Sequence, residues 1–260
     1  MDFPKSEIIE RFSESVDYYN EHATIQKTTA ERLANALQPW QYSLPEGPII
    51  EVGAGTGFFS KHLIEMYPGR ELILSDVSYE MVQFCENNFS EGKHVSFKTM
   101  DVESFDWPEN KYSLIAGNFV AQWLKHPAEV MSKMAQSLKP GGFLLMSFPG
   151  SESFPQWRKY CLDLGIPFTA NPLPDIEEVV VKLSMGPVKV DYYEDQSNEE
   201  YNSVYEFYDH LKRSGTGTSF TGKKISAKQL ELLNNYWKEQ NGGKVYVHYH
   251  TAFIAVKRDL

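Results

Sequence analysis

Cysteine is almost absent from this chain of 260 residues, which contains only Cys85 and Cys161. The two lie far apart and in no C-x-x-C pair, so they predict neither a disulfide framework nor a zinc finger. No apolar run reaches the roughly 20 residues that a membrane helix needs. The first seven residues lack the apolar core of a signal peptide. Together these absences favour a cytoplasmic protein.

Positive charge is also scarce, because 25 Lys and Arg stand against 35 Asp and Glu and leave a formal net charge of −10. Nucleic-acid phosphates and anionic lipids both attract basic surfaces, so an acidic chain is a poor candidate for either. We therefore expect no nucleic-acid partner and no membrane partner, and we expect a monomer. The 42% of hydrophobic residues is ordinary for a globular protein and provides enough side chains for a sizeable core.

Strand and helix patterns alternate from residue 48 to residue 148, which predicts a mostly parallel sheet with helices on both faces. Beyond it the pattern predicts a strand at 188–193, helices at 204–213 and 227–240, and a final strand at 244–257. We expect one α/β domain over 1–260, and its parts are a helical segment 1–47, a core 48–149, a helical or irregular cap 150–187 and C-terminal strands and helices 188–260. Because the cap follows the fifth strand, we expect it to cover the substrate site.

A glycine-rich loop, Glu51 to Gly57, closes the first predicted strand and opens a helix. Glycines let the backbone adopt positive φ and approach a ligand closely. The spacing is G-x-G-x-G with Phe58 where a dinucleotide fingerprint needs Gly or Ala, and the Gly-Lys-Ser/Thr of a P-loop is absent. Glu51 would repel a phosphate and attract a cation. The alternative is that these glycines merely turn the chain.

Acidic and amide side chains follow the next strands of the predicted sheet. Asp76 ends the second strand, where a carboxylate can accept both ribose hydroxyls. Asp101 follows the third strand, near the place of an adenine amino group, and Asn118 follows the fourth. An adenosine with a cationic amino-acid tail and no phosphate describes S-adenosylmethionine, which we therefore expect as the cofactor.

These residues resemble the class I methyltransferase family. The family pattern is E-x-G-x-G-x-G, an acidic residue after strand two, an Asp after strand three, and L-K-P-G-G before strand five. All four are present, the last as Leu138 to Gly142. The resemblance implies a Rossmann-like, mostly parallel sheet of seven strands.

Motifs outside the core resemble the malonyl-acyl-carrier-protein O-methyltransferases of biotin synthesis. The segment Arg11 to Gln26 matches their phenylalanine followed by Tyr-x-x-His-Ala-x-x-Gln, and Asn118 to Trp123 matches Asn-x-x-x-Gln-Trp. Shorter matches are Pro172 to Glu178, Leu211-Lys212-x-x-Gly215 and Tyr249-His250. The resemblance thus extends over nearly the whole chain.

The resemblance implies methyl transfer from S-adenosylmethionine to the free carboxylate of a malonyl thioester on acyl-carrier protein or coenzyme A. Such a carboxylate is ionised at pH 7 and needs no general base. Tyr19 and Trp123 are predicted as catalytic. Predicted cofactor contacts are Tyr19, Gln26, Glu51, Gly53, Gly55, Gly57, Asp76, Val77, Met81, Asp101, Val102 and Asn118. Predicted substrate contacts are His22, Gln122, Arg158, Lys212 and His250.

Other interpretations stay open at this point. Tyr19 and Trp123 could be packing residues. His248 and His250 share one strand face and could bind a metal, but no third ligand is evident, so packing or a hydrogen bond is favoured and no metal is expected. The acceptor could be another small acid or a carbon atom, and a carbon acceptor would need a base. A non-catalytic module that binds S-adenosylmethionine is the third hypothesis.

Overall fold

The centre of the molecule is a twisted sheet, seen in a computed structural model that describes residues 5–90 and 94–259. The strand order is β3-β2-β1-β4-β5-β7-β6, with β1 to β5 parallel and β7 antiparallel to both of its neighbours. The strands are β1 Ile49–Val52, β2 Leu72–Asp76, β3 Val95–Thr99, β4 Tyr112–Asn118, β5 Leu138–Pro149, β6 Val188–Tyr201 and β7 Val245–Arg258. The predicted mostly parallel, seven-stranded α/β fold is confirmed. The prediction that the chain has no signal peptide rests on its first seven residues. Residues 1–4 of these lie outside the described residues.

Nine α-helices occur in the described ranges and surround this sheet. They are α1 Lys5–His22, α2 Thr24–Leu37, α3 Ser60–Met66, α4 Tyr79–Phe89, α5 Pro127–Ser137, α6 Pro155–Asp163, α7 Ile176–Ser184, α8 Val204–Arg213 and α9 Ala227–Gln240. β1 is buried along its whole length, as expected for a parallel strand covered on both faces. The carboxyl ends of β1, β2 and β4 meet at one edge because Ile50 pairs with both Ile73 and Ile115.

The N-terminal segment, predicted as one mostly helical stretch, consists of two helices with different roles. Ala23 leaves helical geometry with φ −87° and ψ 52°, and α2 begins at the next residue. α2 packs on the sheet through a buried stripe that includes Ala30, Leu33 and Leu37. α1 instead packs against α4 and α8, and its residues line the cavities at the carboxyl ends of the strands.

The cap draws on more of the chain than the predicted segment 150–187. α6 joins α8 and α9 in a separate aromatic core that contains Trp157, Phe207 and Trp237. α7, from the same predicted segment, packs against α5 and the sheet instead. The cap is therefore formed by α6, α8 and α9, and its core depends on contacts between residues about 80 positions apart.

Candidate active site

The glycine loop after β1 has a backbone that other residues would strain. Gly53, Gly55 and Gly57 have φ of 63°, 54° and 89°, which lie in the left-handed region. A Cβ atom on Gly53 would also lie 2.3 Å from Cγ2 of Val120. The loop therefore needs glycine both for its conformation and for its close packing on the segment after β4.

Asp76 holds this loop from the end of β2. Its Oδ2 accepts the N–H of Gly55 at 2.9 Å, and its Oδ1 accepts the N–H of Ser78 at 2.9 Å. Burial raises the pKa of Asp76, while these backbone hydrogen bonds oppose the rise. Each carboxylate oxygen has a further lone pair, so the group can still accept hydroxyl hydrogens from a ligand.

Glu51 lies behind the loop and does not line the cavity in front of it. Its side chain is buried, and its Oε2 accepts a hydrogen bond from Ser60 Oγ at 2.6 Å. Burial raises the pKa of Glu51 to about 8, the Ser60 hydrogen bond lowers it, and the charge of Asp76 raises it. Glu51 therefore acts on the cavity through the loop, not by direct contact.

A first cavity, the cofactor cavity, lies between the loop and α1 and has a volume of about 90 Å³. Nine of the twelve predicted cofactor residues line it, and the other three, Gln26, Glu51 and Gly57, do not. Those that line it are Tyr19, Gly53, Gly55, Asp76, Val77, Met81, Asp101, Val102 and Asn118. Two carboxylates at strand ends, with apolar side chains between them, fit a ribose and a purine ring.

Asp101 already has a partner in this cavity. Nζ of Lys5, in the first turn of α1, lies 2.6 Å from both carboxylate oxygens of Asp101 and 2.7 Å from Oε2 of Glu103. Partial burial lowers the pKa of Lys5, but the hydrogen bonds to these two carboxylates outweigh it and raise the pKa overall. The Lys5 ammonium group therefore binds the Asp101 carboxylate, which the sequence analysis predicts as the acceptor for the adenine amine.

α1 covers the cofactor cavity along its length. Tyr19 stacks on Phe58 with ring centroids 5.9 Å apart, and a Cβ atom on Gly55 would lie 3.9 Å from its ring. Ser13 donates a hydrogen bond to Glu80 on α4 at 2.6 Å. Small-molecule sites usually measure ~300–1,000 Å³. The cavity is therefore too small for a nucleoside unless α1 moves outward. The residue types of its lining suit a nucleoside.

A second cavity, the acceptor cavity, adjoins the first and measures about 700 Å³. Phe119 and Trp123 line both cavities, so they form the wall between cofactor and acceptor. α1 contributes Glu7 and Arg11 to this second cavity, and the cap contributes most of the remaining wall. α1 is thus a common lid over both cavities.

Neutral polar groups predominate in the acceptor cavity. Gln122 Nε2 donates to the carbonyl of Phe119 at 2.7 Å, which fixes its amide. Oε1 of Gln122, Oε1 of Gln26 and Oγ1 of Thr218 are buried and have no hydrogen-bond partner within the described residues. Burial raises the pKa of Tyr208 to about 12, so its phenol stays protonated at neutral pH. The wall therefore offers hydrogen bonds and little charge.

The predicted catalytic and substrate residues are only partly brought together. Trp123, Gln122 and Lys212 line the acceptor cavity, as does Gln26, which the sequence assigns to the cofactor. Tyr19 lines the cofactor cavity instead. The other three line neither cavity, and their roles stay predictions: His22 packs edge-on against His210, Arg158 stacks on Phe168, and Nε2 of His250 contacts Glu194 Oε2 at 2.7 Å.

Several residues of the site were not predicted from the sequence. In the cofactor cavity these include Lys5, Ile8 and Phe12, whose spacing along α1 is a helical signal that could have placed them on one face. In the acceptor cavity they include Trp157, Tyr208 and the loop after α8. Nothing local distinguishes those cap residues, because they meet only through contacts between distant helices.

Comparison with known proteins agrees with this geometry. Residues 49–142 match the family model described as "Methyltransferase domain". A malonyl-[acyl-carrier protein] O-methyltransferase 2 from Ilyobacter polytropus is 24% identical and covers 98% of each chain. A malonyl-[acyl-carrier protein] O-methyltransferase from Halalkalibacterium halodurans is 26% identical over 92% of each chain. The similarity thus includes both the core and the cap.

Solved structures share the fold at low identity. The YcgJ protein from Bacillus subtilis superposes with a TM-score of 0.63 at 16% identity, covering 88% of this chain and 99% of its own. A putative methyltransferase from Bacillus halodurans gives 0.61 at 12% identity, with coverage of 88% and 99%. Separately, no helix within 5–90 or 94–259 has both the length and the apolar character to cross a bilayer.

Proposed function

We propose, from the premise that this chain is a class I methyltransferase, that it methylates the free carboxylate of a malonyl thioester. The product would be a methyl ester, and the step would begin pimeloyl synthesis for biotin. The acyl group would be held on acyl-carrier protein or on coenzyme A. We further propose that the enzyme acts as a monomer in the cytoplasm, without a nucleic-acid or membrane partner.

The cofactor of this methyltransferase is S-adenosylmethionine, which when bound supplies an electrophilic methyl group on a sulfonium sulfur. Asp76 would accept the ribose hydroxyls, and Val77, Met81 and Val102 would enclose the purine. Asp101 would accept the adenine amine once Lys5 moves aside. Glu51 would act behind the loop through its hydrogen bond with Ser60, which holds the loop in place.

The observation that carries the carboxylate assignment is the chemistry of the acceptor cavity. Within the described lining there is no histidine, and the carboxylates are those of Glu7 and Asp209, both exposed. Asp209 is paired with Arg213 at 2.7 Å. A carbon or alcohol acceptor needs a base beside the reacting atom, whereas an ionised carboxylate does not. The cavity therefore favours an acceptor that is already a nucleophile.

The residues then act by positioning and by exclusion of water. Phe119 and Trp123 line both cavities and would separate the two ligands, and α1 covers both cavities. Because an ionised carboxylate would accept the methyl group of the bound cofactor directly, no residue of the chain would have to take up a proton. Tyr208 and Gln122 contribute hydrogen bonds that orient the acceptor.

The malonyl group comes from the curated relatives, which are named for malonyl-[acyl-carrier protein] and match over nearly the whole chain. The size of the acceptor cavity supports it, because about 700 Å³ exceeds what a free malonate fills and leaves room for a thioester arm. The cavity also adjoins the exposed cationic side chains of Arg11 and Lys212.

Methyl-labelled S-adenosylmethionine tests this proposal when it is incubated separately with malonyl-acyl-carrier protein, malonyl-CoA and free malonate. We expect base-labile label on a malonyl thioester and none on its acetyl counterpart. Label only on a free acid, or base-stable label on carbon, would contradict the carboxylate of a thioester as the acceptor. Binding of the cofactor without transfer to any acceptor would favour a non-catalytic module.

A further inference from the structure

The loop that follows α8, Gly215 to Ser219, is made of small residues in the order Gly-Thr-Gly-Thr-Ser, and all five line the acceptor cavity. The proposed methyl transfer, as described so far, does not involve this loop. A loop of this composition presents backbone N–H groups and hydroxyls with little side-chain bulk. Such loops can bind anions when their N–H groups are free.

Packing places the loop close to the reacting end of the cavity. Gly215 has φ 70°, and a Cβ atom there would lie 2.8 Å from Ser15 Oγ and 3.0 Å from Phe12 Cδ1, both on α1. Phe12 meets Trp123 edge-on at 5.2 Å, and Trp123 lines both cavities. One layer of side chains therefore separates the start of the loop from the cofactor cavity.

The hydrogen bonds of the loop involve the hydroxyls of Thr216 and Ser219 but leave the backbone N–H groups from Thr216 to Ser219 available within the described residues. Asn171 Nδ2 donates to the carbonyl of Thr218 at 2.7 Å, and Ser219 Oγ donates to the carbonyl of Thr169 at 2.7 Å. Across the described part of the chain, no N–H group from Thr216 to Ser219 donates at ordinary hydrogen-bond distance and angle.

Thr218 adds an independent observation, because its side chain is only 6% exposed and its Oγ1 has no partner among the described residues. Buried hydroxyls are normally satisfied, so an unpaired one indicates a group that is not part of the protein. The hydroxyl hydrogen can rotate toward an acceptor on a ligand. The loop thus provides a buried donor as well as backbone donors.

Charge beside the loop has the matching sign. Lys212 lines the same cavity, and a Cβ atom on Gly217 would lie 3.3 Å from the backbone nitrogen of Lys212. The nearby carboxylate of Asp209 is neutralised by Arg213. Glu7 is the other carboxylate in the described lining, and it lies exposed on α1.

We propose that the 215–219 loop, with the Thr218 hydroxyl and Lys212, is the subsite that binds the free carboxylate of the acceptor. The inference rests on the proposed function and names the part of the cavity that distinguishes a malonyl group from an uncharged acyl group. The N–H groups from Thr216 to Ser219, the Thr218 hydroxyl and the Lys212 ammonium group can all donate to one ligand, which suits an anion. Its position beside Trp123 sets the carboxylate near the cofactor.

The test compares Thr218→Val, which removes the hydroxyl at nearly constant volume, with Thr218→Ser, which keeps it. Affinities for malonyl-CoA and acetyl-CoA are measured by calorimetry with S-adenosylhomocysteine present, alongside KM and kcat. We expect Thr218→Val to weaken malonyl-CoA binding about tenfold, since a hydrogen bond to a charged group is lost. Acetyl-CoA affinity should change less than twofold, and Thr218→Ser should restore most of the difference.

A second variant, Lys212→Met, alters an exposed side chain and should not disturb folding. It should reduce the preference for malonyl over acetyl in the same direction. Unchanged discrimination in both Thr218→Val and Lys212→Met would overturn the subsite. Equal loss for both thioesters, absent when malonyl-pantetheine replaces malonyl-CoA, would assign the loop to the phosphate of the arm and also overturn it.

The two proposals fail in distinguishable ways. If the wild-type protein neither binds nor methylates a malonyl thioester, the proposed function is wrong whatever the variants do. If the wild type methylates malonyl-CoA and prefers it to acetyl-CoA, but the variants match the wild type, only the subsite is wrong. Where the wild type accepts only the carrier-protein forms, malonyl- and acetyl-acyl-carrier protein replace the CoA thioesters in the same design.

Discussion

Around the cofactor cavity the polar groups are charged and closely bonded, with Asp76 bound to two backbone N–H groups and Asp101 bound to Lys5. Around the acceptor cavity they are mostly neutral, and several buried atoms, including Gln122 Oε1 and Thr218 Oγ1, have no partner within the described residues. The first wall follows from the ends of parallel strands. The second follows from the packing of three cap helices on each other.

The difference teaches that the two walls use different physics for two opposite ligands. In the proposed function, carboxylates whose positions the sheet fixes would bind the cationic cofactor. Hydrogen-bond donors would bind the anionic acceptor, because a chain of net charge −10 has to concentrate its cations locally. The two halves should therefore respond separately to substitution, and the predictions that follow test that separation.

The largest effect should come from the core of the cap. Trp237 is fully buried beside Phe207 and Tyr160. Trp237→Ala should destabilise the protein by about 3–5 kcal/mol because it leaves a large cavity. At a temperature where the variant is still folded, urea unfolding should show this loss, and calorimetry should give a cofactor Kd within about twofold of wild type. The acceptor KM should rise sharply.

The matched control is Phe59→Ala, which removes a buried aromatic side chain from the cofactor half. It should weaken cofactor binding and leave the malonyl preference unchanged. If Trp237→Ala weakened cofactor and acceptor binding equally, the two halves would not be separable.

The next effect is the pH dependence that Glu51 imposes on stability. Its pKa is about 8 in the folded protein against 4.5 for an ordinary Glu, because burial favours the protonated form. Glu51 therefore contributes stability that is complete below about pH 4.5 and is lost as pH rises toward 8. At ~1.4 kcal/mol per pKa unit the loss reaches a few kcal/mol.

Glu51→Gln keeps an oxygen that can accept from Ser60 and cannot ionise. Urea unfolding at pH 5, 6.5 and 8 should show that the free energy of unfolding of the variant increases relative to that of the wild type at each step. Glu14→Gln, an exposed change on α1, serves as the control, and its free energy of unfolding should differ from that of the wild type by a constant amount at all three pH values. A constant difference between Glu51→Gln and wild type across this range would show that Glu51 does not ionise there.

Asp76→Asn tests the charged wall directly. Asn can still accept from the N–H of Ser78, but its amide donor would face the N–H of Gly55, so both the loop and the ribose lose an acceptor. We expect the affinity for S-adenosylhomocysteine to fall about ten- to a hundredfold. Asp106→Asn, at an exposed position outside the cofactor cavity, should not change it. Unchanged affinity in Asp76→Asn would place the ribose elsewhere.

The cofactor wall could be predicted from sequence because a strand end is a local feature with a fixed place in the sheet. Asp76 and Asn118 end β2 and β4, Asp101 comes two residues after β3, and parallel pairing brings those strand ends together. Even here the prediction of Asn118 was incomplete. Its Nδ2 donates to the carbonyl of Gln26 at 2.9 Å and its Oδ1 accepts from Ser147, so it ties α2 to β4.

The acceptor wall could not be predicted to the same depth. The helices at 204–213 and 227–240 begin and end where their patterns predict. Which of their faces meet, however, is decided by tertiary packing between Trp157, Phe207 and Trp237. Arg158, a predicted substrate contact, is exposed and covers the ring of Phe168. Neutral donors such as Thr218 carry no sequence signal of their own.

The smallest predicted effect concerns Lys5, the one cation in the described lining of the cofactor cavity. Its ammonium group and the adenine amine require the same carboxylate of Asp101, so the two compete. Lys5→Met should therefore tighten the binding of S-adenosylhomocysteine, by about threefold because the ion pair is partly exposed and such pairs contribute little.

Lys5→Arg keeps the charge, and its affinity should stay near that of the wild type. Hydrogen exchange should show weaker protection of α1 in Lys5→Met, since the lid loses its anchor. A weaker affinity in Lys5→Met would mean that Lys5 helps to cover the bound cofactor. α1 would then belong to the closely bonded wall of the cofactor cavity, in contrast to the wall of the acceptor cavity, where several buried polar atoms have no partner within the described residues.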